Sequence, residues 1–163
     1  MDIWSRKGQS ALARFYGGIP VHRGEFDRKL IETLLSVLRS GFPLVLAPEG
    51  GRSHSLGMQR ALPGVAYLAD QAGVPIVPVG IMGTHDDFFR EAIRGRRQRL
   101  EMRIGKPLQL PPIQSKGEAR RAERQQHADL IMEKIAELLP PEYHGYYSKK
   151  VVAEPLTQKS SVV

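Results

Sequence analysis

Residues 42–53, Phe42-Pro43-Leu44-Val45-Leu46-Ala47-Pro48-Glu49-Gly50-Gly51-Arg52-Ser53, constrain this chain more than any other stretch. The unbroken apolar run Leu44–Ala47 predicts a strand buried on both faces, because it does not alternate with polar residues. It stops at Pro48, and a carboxylate, two glycines, a guanidinium and a hydroxyl follow. Ligands in α/β folds bind at the carboxyl ends of strands. Glycines let the backbone turn sharply and let a ligand come close. Arginine presents a planar fork of donors that fits phosphate or carboxylate. A tight surface turn with an incidental Glu–Arg pair accounts for the same residues, so this stretch alone leaves both readings open.

The 163 residues suit one domain with a sizeable core. The absence of cysteine excludes disulfides and thiolate-ligated metals, and allows a reducing compartment. No apolar run approaches the length of a membrane span, and the N-terminus shows no secretory h-region. The net charge of +7 is unevenly placed. Arg90, Arg94, Arg96, Arg97, Arg99, Arg103 and Lys106 face only Glu91 and Glu101 in one segment. Such a segment suits anionic lipid headgroups, an acyl carrier or nucleic acid, or is simply a solvated loop. No zinc-finger spacing or RNP-like aromatic strand supports nucleic acid.

Along the chain, Phe15–Val21 reads as a short strand. Phe26, Leu30, Ile31, Leu34, Leu35 and Leu38 repeat at helical spacing, with Asp27 in the first turn and Gly41 beyond the end. Pro63 opens a second helix whose small-residue face includes Ala66, Leu68 and Ala69, and Gly73 closes it. Val74–Ile81 is the next strand, kept short or at an edge by Pro75 and Pro78. The alternation of strands and helices predicts parallel βαβ units. Phe88 and Phe89 are expected to pack inward, and Leu100, Met102 and Ile104 alternate as a half-exposed strand does. Residues 107–112 form an extended connector. Lys116–Leu139 is a long amphipathic helix with Ala119, Ala122, Leu130, Ile131, Ile135, Leu138 and Leu139 on or near one face, and residues 148–163 are a polar tail.

Three motifs fall on successive strand ends. They are Gly17-Gly18-Ile19-Pro20-Val21-His22-Arg23, Ala47-Pro48-Glu49-Gly50-Gly51-Arg52-Ser53 and Val74-Pro75-Ile76-Val77-Pro78-Val79. In order and spacing they resemble the second, third and fourth blocks of the glycerolipid acyltransferase family that contains 1-acylglycerol-3-phosphate acyltransferases. That family's third block usually reads Phe-Pro-Glu-Gly-Thr-Arg-Ser; here Ala47 and Gly51 replace the Phe and the Thr. The likeness covers residues 15–112.

The resemblance implies an α/β fold with a mostly parallel sheet and flanking helices, a single domain over residues 1–147 like glycerol-3-phosphate acyltransferase. It implies acyl transfer from acyl-CoA or acyl-carrier protein to a lysophospholipid, in phospholipid biosynthesis. Arg23 and Arg52 would hold the acceptor's phosphate through charge-assisted bonds. Glu49 would orient glycerol oxygens or an arginine, Gly50 and Gly51 would keep the loop low, and Ser53 would add a hydroxyl or cap the next turn. No metal or cofactor is implied beyond the acyl donor. The setting would be cytoplasmic, peripheral at the inner face of the membrane, with no nucleic-acid partner.

The family's first block, a His-x4-Asp whose histidine is the general base, belongs several tens of residues before Arg23. Only 22 residues precede Arg23 here. His22 and Asp27 have the spacing but lie inside the second block, and read as a decoy: a polar strand end and an acid at a helix N-terminus. The chain is therefore expected to be such a domain lacking its N-terminal portion, through a mis-assigned start, a fragment or degeneration. A missing first strand would leave a sheet edge and apolar faces uncovered, so poor stability or self-association is expected. The competing reading is a non-catalytic lysolipid- or phosphate-binding remnant. Nucleotide binding is weak, because neither Gly-x4-Gly-Lys-Ser/Thr nor Gly-x-Gly-x-x-Gly occurs.

Overall fold

A computed structural model describes residues 15, 17–19, 27–51, 53, 55–84, 91, 94–96 and 99–148. Helix α1, Arg28–Arg39, begins one residue after Asp27, whose Oδ1 accepts a hydrogen bond from the Leu30 N–H at 3.0 Å. Asp27 is thus the N-cap rather than a first-turn residue, and satisfies an amide that the helix leaves unpaired. Helix α2, Gly64–Ala72, starts behind Pro63 and ends at Gly73, as its sequence predicts. Leu34 and Leu35 of α1 meet Leu68 of α2, and Leu30, Ile31, Leu38 and Leu44 pack around them.

Strand β1, Val79–Met82, pairs antiparallel with β2, Glu101–Ile104, in the register Val79–Ile104, Gly80–Arg103, Ile81–Met102 and Met82–Glu101. Ile76 and Leu108 extend the pairing by exchanging both backbone bonds, at 2.8 and 2.9 Å. Pro78 sits between the two patches without a donor of its own, as its chemistry requires. Among the described residues this antiparallel pair replaces the mostly parallel sheet that the element order predicts. An antiparallel partner needs no helical crossover, and the β1 run finds its partner in the alternating segment that follows it. The described part of 15–21 shows no strand: Phe15 is exposed and Gly17 lies in a turn.

The buried strand predicted over Leu44–Ala47 is also absent. These residues belong to no ladder, and Val45 is 96% exposed. Pro43 and Pro48 bracket the run, and neither has an N–H to donate. The nearby backbone bonds are local, from the Phe42 N–H to the Val37 carbonyl at 3.2 Å and from the Gly50 N–H to the Ala47 carbonyl at 3.0 Å. A continuous apolar run states a need for cover on both faces but does not supply it.

Helix α3, Gly117–Ala136, carries the main core. Ala128, Ile131, Met132 and Ala136 are buried against Ala61, Ala66, Ala69, Met82 and Leu110. Ala119 and Ala122, expected on this face, are exposed, because the first turns of α3 extend past the body. Two polar residues, His127 and Asp129, are buried instead. Arg124 lies over the Tyr67 ring at 4.6 Å and ties α3 to α2. Two short 3-10 turns follow, Pro141–Tyr143 and Gly145–Tyr147, and Tyr147 is fully buried. β2 alternates in sequence but not in burial, since Met102, Arg103 and Ile104 are all exposed. Arg103 donates to the Leu138 carbonyl at 3.0 Å. Phe88, Phe89, residues 1–14 and the tail from 149 onward lie outside the described residues.

Candidate functional site

The Pro48–Ser53 loop is held by a strap, residues 57–62, that runs back beside it. The Leu62 N–H donates to the Pro48 carbonyl at 2.9 Å, and the Gln59 N–H donates to Glu49 Oε2 at 2.8 Å. Gly50 turns the loop with φ +68°. The left-handed angle calls for glycine, and a Cβ there would also lie 2.3 Å from Cδ1 of the exposed Leu62, a side-chain tip that could move aside. Ser53 knits the next turn, its hydroxyl donating to the carbonyls of Ser55 at 2.8 Å and Gly57 at 3.1 Å. Gly51 follows Gly50, half-buried.

Beside Glu49 opens a cleft of about 830 Å³. Val45, Leu46 and Ala47 line it from the loop side, Val79, Ile81 and Met102 from the hairpin, and Met132, Ile135 and Leu139 from α3 and its end. Glu49, Ser53, Ser55, Thr84 and Tyr143 supply its polar groups. An apolar trough with a carboxylate and hydroxyls at its rim suits a ligand with a long apolar body and a polar head. The exposure of Val45, Ile81 and Met102 has its counterpart here, since all three face this space.

Arg23, Arg52 and His22 lie outside the described residues, so the structure describes Glu49, Gly50, Gly51 and Ser53 of the predicted set. The Asp27 carboxylate is engaged as the α1 cap. Among the described residues, His127 and His144 are buried and neither lines the cleft. His144 donates from Nε2 to the Leu139 carbonyl at 2.9 Å. No group of three or more potential metal ligands occurs among the described residues.

Sequence reasoning missed the groups behind the strap. The Tyr147 hydroxyl donates to Asp129 Oδ1 at 2.8 Å and accepts from the Ala61 N–H at 2.9 Å. Gln125 Nε2 donates to Asp129 Oδ1 and to the Ala61 carbonyl, each at 3.0 Å. Burial pushes the Tyr147 hydroxyl pKa well above the usual phenol value, and the neighbouring carboxylate adds to that shift. The available signal was Asp129 itself, a charge in register with Met132 and Ala136 on a helix face otherwise bound for the core.

The glycine-turned loop and its oriented carboxylate lie beside an apolar trough, and the chain belongs to the acyltransferase family. The family's sequence profile matches residues 2–82, which include the loop and β1. The chain is 30% identical over 124 residues to the 1-acyl-sn-glycerol-3-phosphate acyltransferase alpha of Ovis aries, and likewise to that of Bos taurus. Against the Mus musculus protein of the same name it is 30% identical over 125 residues. Each match covers 71% of this chain but only 39–40% of the relative, so the chain spans about two fifths of the length of these curated relatives. No solved structure matches.

Proposed function

We propose that this chain takes part in moving a fatty acyl group from an acyl thioester, acyl-CoA or acyl-carrier protein, to the free hydroxyl of a lysophospholipid such as 1-acylglycerol-3-phosphate. In that reaction the hydroxyl oxygen forms an ester bond with the acyl carbon, the thioester C–S bond breaks, and the hydroxyl proton ends on the released thiol. The observation that carries the reading is the Glu49 carboxylate, fixed by the Gln59 amide at the rim of an apolar trough, in a chain of the acyltransferase family. Glu49 would accept from the acceptor's glycerol hydroxyls, Arg23 and Arg52 would bind its phosphate, Ser53 would keep the turn closed, and the trough would take an alkyl chain. The chemistry calls for no cofactor or metal besides the acyl donor.

The proposed setting is the cytoplasmic face of a membrane, held peripherally. Among the described residues no helix is long and apolar enough to cross one. Ile81, Met102 and Ile104 form an exposed apolar patch on the hairpin, with Arg99, Arg103 and Lys106 nearby in sequence. Apolar contact with basic flanks favours an anionic lipid surface.

Incubation of the chain with lysophosphatidate and radiolabelled acyl-CoA tests the reading. Labelled phosphatidate that falls at least about a hundredfold in Glu49→Gln supports it, a loss in the range seen when one polar stabilising group is removed. A second reading is lysolipid binding without turnover, which the Glu49 carboxylate and the apolar trough would serve equally well. Saturable binding of lysophosphatidate with no labelled product would select it. Absence of both product and binding would remove both.

A further inference from the structure

We propose that the C-terminal turn Pro141–Tyr147, anchored on Asp129, sets the position of the Glu49 carboxylate, with Tyr147 as the key positioning residue. This rests on the reading of Glu49 as an acceptor-site group. The strap that orients Glu49 has no helix or strand of its own over residues 58–62. Its position is decided by what grips it from behind. Met58 exchanges both backbone bonds with the turn: its N–H donates to the Tyr143 carbonyl at 2.9 Å, and its carbonyl accepts from the Tyr146 N–H at 2.9 Å. Ala61 is held by the Tyr147 hydroxyl on its N–H and by Gln125 on its carbonyl. Met58 and Ala61 are both gripped from behind, and between them the Gln59 N–H meets Glu49.

The grip is close and rigid. Tyr147 is fully buried, and its hydroxyl bonds both Asp129 and the Ala61 N–H, while Gln125 Nε2 bonds the same Asp129 oxygen and the Ala61 carbonyl. Gly145, at φ +51°, lies against Met58 and Gly57, where a Cβ would come within 2.3 Å of the Met58 carbonyl oxygen. A carboxylate on α3 thereby acts through a phenol, a strap and one amide on a carboxylate at the mouth of the cleft.

The test uses the whole chain, labelled with ¹⁵N, and follows the Gln59 amide resonance from about pH 7 to about pH 3, across the carboxyl range. In the wild type this amide should move with a carboxyl titration that Glu49→Gln abolishes. In Tyr147→Phe the movement should be lost while the α1 amides keep their positions. An unchanged Gln59 titration in Tyr147→Phe overturns the proposal. Lysophosphatidate affinity should fall about tenfold in Tyr147→Phe, the worth of about one charge-assisted hydrogen bond; wild-type affinity in that variant counts against the coupling. Hydrogen exchange on the wild type needs no variant to fold. Met58 and Gln59 amides opening with one common protection support the coupling, and Gln59 exchanging freely while Met58 stays protected overturns it. If Glu49→Gln binds lysophosphatidate as the wild type does, the acceptor-site reading falls, and the Gln59 titration alone then decides the coupling.

Discussion

Gly57 and Gly145 meet backbone to backbone: a Cβ on Gly57 would lie 2.7 Å from the Gly145 Cα, and a Cβ on Gly145 would lie 2.5 Å from the Met58 nitrogen. Two short segments far apart in the chain are thus pressed together where no side chain fits. The contact brings the end of the chain's described part against the strap behind the candidate site.

Gly145→Ala should therefore destabilise the protein. Overpacking against backbone costs about 1–3 kcal/mol, and the left-handed angle adds about 1 kcal/mol for a residue with a Cβ. Thermal unfolding should show the melting temperature falling by several degrees. Gly95→Ala is the control for the angle alone, since Gly95 also has positive φ but open space around it. A melting temperature for Gly145→Ala no lower than that of Gly95→Ala would refute the steric account.

Tyr147 gives stability an alkaline limb. Its hydroxyl pKa is raised by burial and by Asp129, so both folded and unfolded chains keep the proton below about pH 10. Above that, the unfolded chain releases it first, and stability falls as pH rises toward the folded value. Tyr147→Phe should be less stable at neutral pH, because it leaves the Ala61 N–H without its partner, yet should lose less stability between pH 9 and pH 11, a span about the ordinary phenol value. Urea unfolding at both ends of that range measures the difference, and parallel pH profiles would contradict it.

Glu123 contributes the opposite limb. The Ser115 hydroxyl holds its carboxyl below the usual glutamate range, aided by the Ser115 amide and by His127. A depressed folded pKa gives stability that is present above the unfolded value and is lost as pH falls through the folded one. Ser115→Ala should lessen that acid-side loss, while an acid limb identical to the wild type's would show that the bond is inactive in solution.

Asp27→Ala should shorten α1 at its start, costing about 1 kcal/mol for the lost cap. Asp27→Ser should recover most of it, because a serine oxygen reaches the same amides. Circular dichroism during thermal unfolding reads both variants. Failure of the serine to outperform the alanine would mean that the carboxylate matters for something other than capping.

Replacing Met102 with Asp should weaken sedimentation with anionic liposomes by at least about tenfold, since a charge placed on the apolar side of β2 opposes contact with lipid. The fold should persist, because Met102 is 62% exposed. Undiminished sedimentation would refute the proposed contact of the hairpin with lipid.

The sequence alone determined the helices and the family. The periodicity of α1, the Pro63 and Gly73 punctuation of α2 and the run of α3 are properties of neighbouring residues, so they are legible without a fold. The Glu-Gly-Gly segment was legible as a turned loop because glycine chemistry acts within a few residues. Only the tertiary structure decided which segments pair and what holds the site. Leu44–Ala47 has the composition of a buried strand but joins no ladder, because hydrogen-bonded pairing is a property of two segments, whereas composition belongs to one. The link from Asp129 through Tyr147 to Ala61 spans residues that no local pattern connects. A hydroxyl, a carboxylate and an amide become one device only when folding excludes water from them and leaves each as the other's available partner.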